Sequence, residues 1–534
     1  MAPVSAVPST AGELLQPRNP ATLELVGAVP VTEPEGVAEA VAEARFAQRL
    51  WATRTLDDRR LLLREVATVL LAHVEEITAS IVAETGKPKL EAVTTELFVA
   101  LDTSVWLSRN LDRVLGDERV PFRQPYALHK RGRLRYEPAG VVGVVAPWNF
   151  PFSIPFTQAA TAVAAGNAVV VKPSELTPFS GEWVERIFAL AGAPPGLVRV
   201  VQGPGTHVGD ALVRSTGVDA LVFTGSAIAG RAVAEHAAAR LCPVTVELGG
   251  KDPMLVLADA DLLRAIEGAL WGAFSNCGQI CSGIERIYVE GDLYEPFLEG
   301  LSSRARELRV GRGDESSTEL GPLISEGQRA KVEGLVADAV EHGAEIVTGG
   351  GRPDVGLPGW FHEPTVLAGE PADARLRSEE IFGPVVTVVK IANASEGIVR
   401  ANDSAFGLGA SVWTRNAATA RAVSTQLEAG SVWTNDVAYS YGTCQAPWGG
   451  RKGSGYGRTH GKHGLYAMSQ VKFFDADPGW LLPPWWFPYG DRTADGFAGV
   501  LAGAFSGGIA ARASGLWRHR HGLVELGRRT SGRR

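Results

Sequence analysis

The sequence predicts an α/β protein, with a doubly wound, Rossmann-like parallel sheet followed by a second α/β domain, and three observations carry that prediction. Short Val-rich runs recur from Val141 onward, helical or Gly/Pro-punctuated stretches separate them, and the segments richest in glycine and polar residues come directly after the runs. Runs that are apolar throughout, rather than alternating, belong to strands covered on both faces, as in βαβ units. Ligands of such sheets sit beyond the strand carboxyl ends, which is where those glycine-rich segments fall.

The first long signal is helical. Between Val37 and Thr85 apolar residues return every three or four positions, through Ala38-Glu-Ala-Val-Ala-Glu-Ala-Arg45 and Leu61-Leu-Leu-Arg-Glu-Val66, and the pattern stops at Gly86-Lys-Pro88. A second helix is expected from Lys89 to Leu111. The strand series follows: Val141 to Ala146, Ala168 to Lys172, Leu197 to Val201, Ala220 to Phe223 and Val244 to Glu247. A second α/β pattern begins near Lys251, with strands at Met254 to Leu257, Ile284 to Val289, Val385 to Lys390, Gly409 to Trp413 and Gly430 to Trp433, and an amphipathic helix from Gln328 to His342.

Composition narrows the function classes. At 534 residues the chain has room for two or three domains. It is 45% hydrophobic and 21% charged with a net charge of −7, which argues against a nucleic-acid binder, since that would show a basic face. The amino-terminal Met1 to Thr10 lacks a basic region followed by an apolar run, so no signal peptide is expected. No apolar stretch is long enough to span a membrane. Cys242, Cys277, Cys281 and Cys444 are too few and too scattered for a disulfide framework, so a reducing cytoplasm is the expected compartment.

Cys281 lies in Phe274-Ser-Asn-Cys-Gly-Gln-Ile-Cys281-Ser-Gly283, and the strand ending at Glu247 runs into Leu248-Gly-Gly250. A thiol that attacks a carbonyl and a carboxylate that activates water are the two groups needed to oxidise an aldehyde to an acid. Together with Pro147-Trp-Asn149-Phe-Pro151, Lys172-Pro-Ser-Glu175, Phe223-Thr-Gly225-Ser-Ala-Ile-Ala-Gly230 and Glu380-Ile-Phe382-Gly-Pro384, these segments resemble the ordered motif series of the aldehyde dehydrogenase superfamily, from roughly Asn19 to Asp475. The resemblance implies a dinucleotide-binding domain (1–120 and 139–248), a catalytic domain (249–446), a bridging β-element for a homodimer or homotetramer (121–138 and 447–477), and an extension of unassigned role (478–534).

The cofactor expectations combine residue chemistry with that resemblance. Gly203-Pro-Gly205-Thr-His-Val-Gly209 is one residue too long for the usual dinucleotide fingerprint. Instead Gly225 permits a tight strand-to-helix turn, Ser226 can cap the next helix, whose amino terminus can receive a phosphate, and Gly230 lets that helix approach a neighbour. A ligand-free βα turn is the alternative for this motif taken by itself. By resemblance, Lys172 and Glu175 contact a ribose, Trp148, Ser174, Gly205 and Leu248 complete the cofactor site, and Glu380 with Phe382 holds the nicotinamide half. A carboxylate at Glu175 repels a 2′-phosphate, so NAD is preferred over NADP, with Lys172 offsetting part of the repulsion.

The chemistry expected is attack by the Cys281 thiolate, oxyanion stabilisation by Asn149, which resembles the family's side-chain donor, hydride transfer, and hydrolysis of a Cys281 thioester by water that Glu247 activates. Cys277 and Cys242 are read as small buried hydrophobes. A Cys277/Cys281 metal pair lacks further ligands, so no metal is expected. By resemblance, the substrate tunnel is expected near Phe150, Ile154, Thr157, Ile280 and Ser282 and around Asp436 to Ala446. No arginine stands in these segments, which favours an apolar or aromatic aldehyde over a semialdehyde acid. The alternatives are an NADP-linked semialdehyde dehydrogenase and a catalytically silent protein of the same fold.

The carboxyl end departs from the resemblance. Trp480-Leu-Leu-Pro-Pro-Trp-Trp-Phe-Pro-Tyr489 precedes a Gly/Ala-rich apolar run from Phe497 to Ala510, then Arg512-Ala-Ser-Gly-Leu-Trp-Arg-His-Arg-His521 and the terminal Arg533-Arg534. Trp and Tyr beside Arg suit a membrane interface. Three readings stand: an extension packed on the body or a partner subunit, a peripheral membrane contact, and disorder.

Overall fold

The computed structural model describes residues 12–124 and 127–531, so Met1 to Thr10, the terminal Arg533-Arg534 and two positions of the 121–138 span lie outside the described residues. The chain divides into two compact units, Met1–Leu115 with Glu137–Gln470, and Gly116–Tyr136 with Val471–Arg534.

In the first unit, the helical signal from Val37 to Thr85 is three helices, Pro34–Trp51, Leu56–Ala72 and Val74–Thr85. Apolar periodicity runs on across the first break, but Thr55 starts a new helix there through a capping box: Asp58 N–H donates to Thr55 Oγ1 at 3.1 Å, and Thr55 N–H to Asp58 Oδ2 at 3.0 Å. The last helix ends on Gly86 in the left-handed region, φ 69°. The helix expected from Lys89 to Leu111 is interrupted: Lys89–Glu91, a wide π turn over Ala92–Leu97, then Phe98–Leu115.

The first sheet comprises β1 (Val141–Val145), β2 (Ala168–Lys172), β3 (Val198–Val200), β4 (Ala220–Thr224) and β5 (Val244–Glu247), all parallel. The second contains β6 (Asp252–Val256), β7 (Ile284–Glu290), β8 (Glu345–Thr348), β9 (Thr365–Ala368), β10 (Val385–Ile391), β11 (Gly409–Trp413) and β12 (Ser431–Thr434). A short β13 (Gly455–Tyr456) pairs antiparallel with β5, giving the order β13-β5-β4-β1-β2-β3. The chain therefore winds outward from β1 through β2 and β3, then back past β1 to β4. The carboxyl ends of β1 and β4 flank the switch point where a crevice opens.

The second sheet runs β8-β9-β10-β7-β6-β11-β12, parallel except for β8 against β9. The sequence reading missed β8 and β9. β8 is a half-exposed edge strand of four residues and β9 is equally short, so neither shows a period. Every residue of β1, β2, β4, β6 and β11 is buried, as apolar runs in doubly covered sheets require.

The second unit contains a three-stranded sheet of Glu118–Val120, Arg131–Pro138 and Ser469–Ala476, followed by helices Asp491–Phe505, Ile509–Arg518 and Arg520–Thr530. Among the described residues, no single helix is long and apolar enough to cross a membrane.

Candidate active site at the strand carboxyl ends

The chain leaves β1 through Pro147-Trp148-Asn149 and enters the Ser153–Ala164 helix. Glu96 caps that entrance, accepting from Phe152 N–H at 2.8 Å and Ser153 N–H at 3.1 Å. Lys87 neutralises it, with Nζ 2.7 Å from Glu96 Oε1, and donates to the Asn149 carbonyl at 2.8 Å.

Cys281 sits on the connection between the Leu262–Phe274 helix and β7. That loop turns through three consecutive left-handed residues, Asn276 (φ 49°), Cys277 (φ 55°) and Gly278 (φ 67°). Non-glycine residues hold such angles only when their surroundings over-determine them. Asn276 Nδ2 donates to the Asn149 carbonyl at 3.0 Å, Gln279 Oε1 accepts from Ile324 N–H at 2.9 Å, and Asn149 Nδ2 donates to the Gln279 carbonyl at 3.0 Å. Asn149 and the Cys281 loop thus fix each other. A Cβ on Gly250 would lie 2.2 Å from the Cys281 carbonyl oxygen, so the turn after β5 reaches the loop only as glycine.

Two cavities meet at Cys281. One, of about 210 Å³, opens beyond β1, β4 and β5 and is lined by Trp148, Asn149, Gly225, Ser226, Glu247, Leu248, Cys281, Glu380 and Phe382. The other, of about 330 Å³, is lined by Phe98, Val99, Phe150, Trp271, Ile280, Ser282, Tyr439 and Tyr441 among others. Cys281 and Ile154 belong to both.

The aldehyde dehydrogenase family profile matches residues 7–474. The chain belongs to the aldehyde dehydrogenase family. It is 37% identical over 468 residues to a Mycobacterium tuberculosis protein named "Putative succinate-semialdehyde dehydrogenase (NADP(+)) 2", covering 85% of this chain and 88% of that one. A Bacillus subtilis protein named as a putative aldehyde dehydrogenase is 35% identical, with 87% and 93% covered. The NAD+ complex of an aldehyde dehydrogenase from Bacillus cereus superposes with a TM-score of 0.83 at 34% identity, over 87% of this chain and 94% of that one.

The electrostatics of this aldehyde dehydrogenase centre on three carboxyls around one thiol. Burial raises Glu247 to about 7, with partial opposition from the Trp448 indole and the Cys281 thiol. Glu247 Oε1 is buried and, among the described residues, has no hydrogen-bond partner. Burial also raises the Cys281 thiol well above its ordinary value, and the charges of Glu247, Asp252 and Glu380 push it further. Glu380 is raised to about 8 by burial and by Glu285, while its bond from Gly250 N–H, at 2.9 Å, works the other way.

The structure brings most of the sequence-predicted residues together. Asn149, Glu247, Trp148, Gly225, Ser226, Leu248, Glu380 and Phe382 share the first cavity with Cys281. Ser226 caps the Ala227–Ala239 helix, its Oγ accepting from Ala229 N–H at 3.3 Å, and a Cβ on Gly230 would lie 2.2 Å from a Leu248 methyl. Of the adjacent acids, Glu379 pairs with Arg375 at 2.8 Å, whereas Glu380 turns in to Gly250. Trp148 and Phe382 meet edge-to-face, with centroids 5.4 Å apart.

Lys172, Ser174 and Glu175 lie at the end of β2 and Gly205 follows β3, all outside that cavity. Buried Lys172 is 3.0 Å from Glu175 Oε2, and a Cβ on Gly205 would sit 3.9 Å from Lys172 Nζ. Burial works to raise Glu175, but the Lys172 charge and backbone hydrogen bonds from Glu175 and Gly205 outweigh it and hold the carboxyl below the usual range. In the second cavity, Phe150, Ile154, Ile280 and Ser282 line the wall. Thr157 does not: it is buried behind, donating to the Ile154 carbonyl at 3.1 Å, with its hydroxyl 3.5 Å from Tyr441 Oη.

Sequence reasoning missed Gln328 and Lys331 in the first cavity, and Phe98 and Trp271 in the second. Gln328 Nε2 donates to the Phe382 carbonyl at 2.8 Å, which helps hold Phe382 at a φ of 57°. Phe98 and Trp271 left a faint signal as bulky apolar residues on helices, 62% and 45% exposed. Among the described residues, no group of three or more His, Cys, Asp or Glu is placed to hold a metal ion.

Proposed function

We propose that this aldehyde dehydrogenase oxidises an apolar or aromatic aldehyde to the free acid, using NAD. The supporting observation is the position of Cys281, where the cavity at the strand carboxyl ends meets a separate aromatic-lined cavity. The first fits a dinucleotide. Its helix amino terminus at Ser226 suits a pyrophosphate, Lys172 and Glu175 suit a ribose, and Glu380 with Phe382 stands near the thiol for the nicotinamide half. Bound there, NAD supplies the hydride acceptor.

The residues then divide the work. The Cys281 thiol gives up its proton to solvent, and the thiolate attacks the carbonyl carbon. The oxyanion is met by the second N–H of Asn149 Nδ2 and by the Cys281 backbone N–H; the bond from Asn149 to Gln279 pre-sets the amide's orientation. Loss of hydride from the former aldehyde carbon leaves a thioester on Cys281. Glu247 Oε1, the orphaned acceptor, then takes a proton from water, the hydroxide displaces the thiolate, and the acid leaves.

Similarity to a protein named for succinate semialdehyde and NADP favours a second reading. Against it, the aromatic-lined cavity presents no Lys or Arg among the described residues to a substrate carboxylate, and a buried unpaired charge is costly. The test is kcat/KM for hexanal, benzaldehyde and succinate semialdehyde with NAD and NADP. The apolar aldehydes should lead by roughly 10²-fold or more. Succinate semialdehyde as the best substrate would overturn the substrate class without touching the reaction type.

A further inference from the structure

We propose that the carboxyl-terminal extension docks on an anionic lipid bilayer, laying its aromatic and apolar faces in the headgroup layer with its arginines on lipid phosphates. The family match ends at residue 474, so these residues lie outside what it accounts for.

The hairpin's packing is the first argument. Helix Asp491–Phe505 meets Arg520–Thr530 through glycine: a Cβ on Gly496 would lie 2.3 Å from the Gly522 carbonyl, and one on Gly499 would lie 2.7 Å from His519 Cβ. Gly503 closes in the same way on Leu516. Leu526 and Leu523 pack against Gly496 and Gly499, yet other large apolar side chains face outward, with Leu501 59%, Phe505 80%, Ile509 89% and Trp517 69% exposed. A hairpin that folds for water keeps such side chains inside. Close approach through glycine with large apolar side chains left outside is how helices pair when lipid is the solvent.

Length and charge decide how the bilayer is met. At 15 residues, Asp491–Phe505 is too short to span, so the hairpin lies in the interface plane. The segment Trp480 to Tyr489 has no charged residue, and its Trp480, Trp486, Phe487 and Tyr489 are all more than half exposed. It is tied to the hairpin by Leu482 N–H donating to the Thr530 carbonyl at 3.0 Å and by Trp485 against Phe497, so aromatics and helices form one surface. From Asp491 to Ser531 the chain carries six arginines against three acids, although the whole protein is −7. Arg520 rests over the Trp517 ring at 4.6 Å, a cation beside an interfacial aromatic. A two-fold contact with a second copy would set this net-positive segment against itself.

The experiment uses the full-length protein and cosedimentation with vesicles of phosphatidylcholine plus phosphatidylserine, or of phosphatidylcholine alone. Binding should need the anionic lipid and weaken with salt. Phe505→Glu with Trp517→Glu should abolish it. Arg518→Gln with Arg520→Gln should weaken it about fivefold per arginine. All these side chains are exposed, so oxidation of a short soluble aldehyde should continue unchanged. Absence of binding by the unaltered protein, or equal binding by the variants, would overturn the proposal. So would a fall in oligomer mass in the Phe505/Trp517 variant without any vesicle binding, which would make the face a contact between copies.

Discussion

Lys87 Nζ lies 2.8 Å from the carbonyl oxygen of Asn149, the same oxygen that accepts from Asn276 Nδ2 in the Cys281 loop. A fully buried ion pair with Glu96 therefore supports the residue proposed to hold the oxyanion, because Glu96 itself caps the helix that Asn149 leads into. Breaking a buried pair from one side leaves an uncompensated charge, at a cost of about 3–5 kcal/mol. Lys87→Met should lower the thermal midpoint and reduce kcat/KM. Lys87→Met with Glu96→Gln should recover much of the stability and little of the rate, since the Asn149 carbonyl still lacks the lysine, one of its two donors. Recovery of both would show that the pair only stabilises.

The parallel strands other than β9 were legible because they are apolar and bounded by glycine or proline; β2, β5 and β11 match their expected limits residue for residue. The candidate catalytic residues were legible because each falls at a chain reversal with motif neighbours. What lay hidden depends on tertiary approach. Nothing local marks Lys87 and Glu96 as partners of Asn149, or Gln328 as the holder of Phe382. Thr157 was placed one layer too far forward, since a helix buried on every face gives no period to say which side meets the tunnel.

Cys281 and Cys277 should separate cleanly. Cys281→Ala should abolish NADH formation while the cofactor still binds. Cys277→Ala should keep most activity, because its thiol is buried 2% exposed with its pKa driven up by burial. Three carboxyls and burial hold the Cys281 thiol protonated, so iodoacetamide should label it slowly near neutrality. The positive ring of NAD should speed labelling where NADH does not. Loss of activity in both variants would blur the assignment.

Glu247 sets the pH dependence. A carboxyl raised to about 7 is mostly protonated below that pH and acts as a base only above it, so kcat should rise through roughly pH 7 on the acid limb. Glu247→Gln should remove that limb and accumulate a thioester at Cys281, seen as an acyl mass adduct after a single burst of NADH. Steady turnover by the variant would refute the general-base role.

Glu175 tests the cofactor. Lys172, 3.0 Å away, and the surrounding backbone keep its carboxyl ionised across the working pH range. A fixed negative charge at a ribose-binding position opposes a 2′-phosphate, while Lys172 returns part of that interaction, so NAD should lead without excluding NADP. Glu175→Gln removes the repulsion and leaves the Lys172 ammonium unpaired. NADP should then gain roughly tenfold in kcat/KM relative to NAD, about 1.4 kcal/mol, and the gain should shrink at high salt as the lysine is screened. An unaltered enzyme that prefers NADP would show that Glu175 does not face the ribose, and would bring this protein closer to what its mycobacterial relatives are named for.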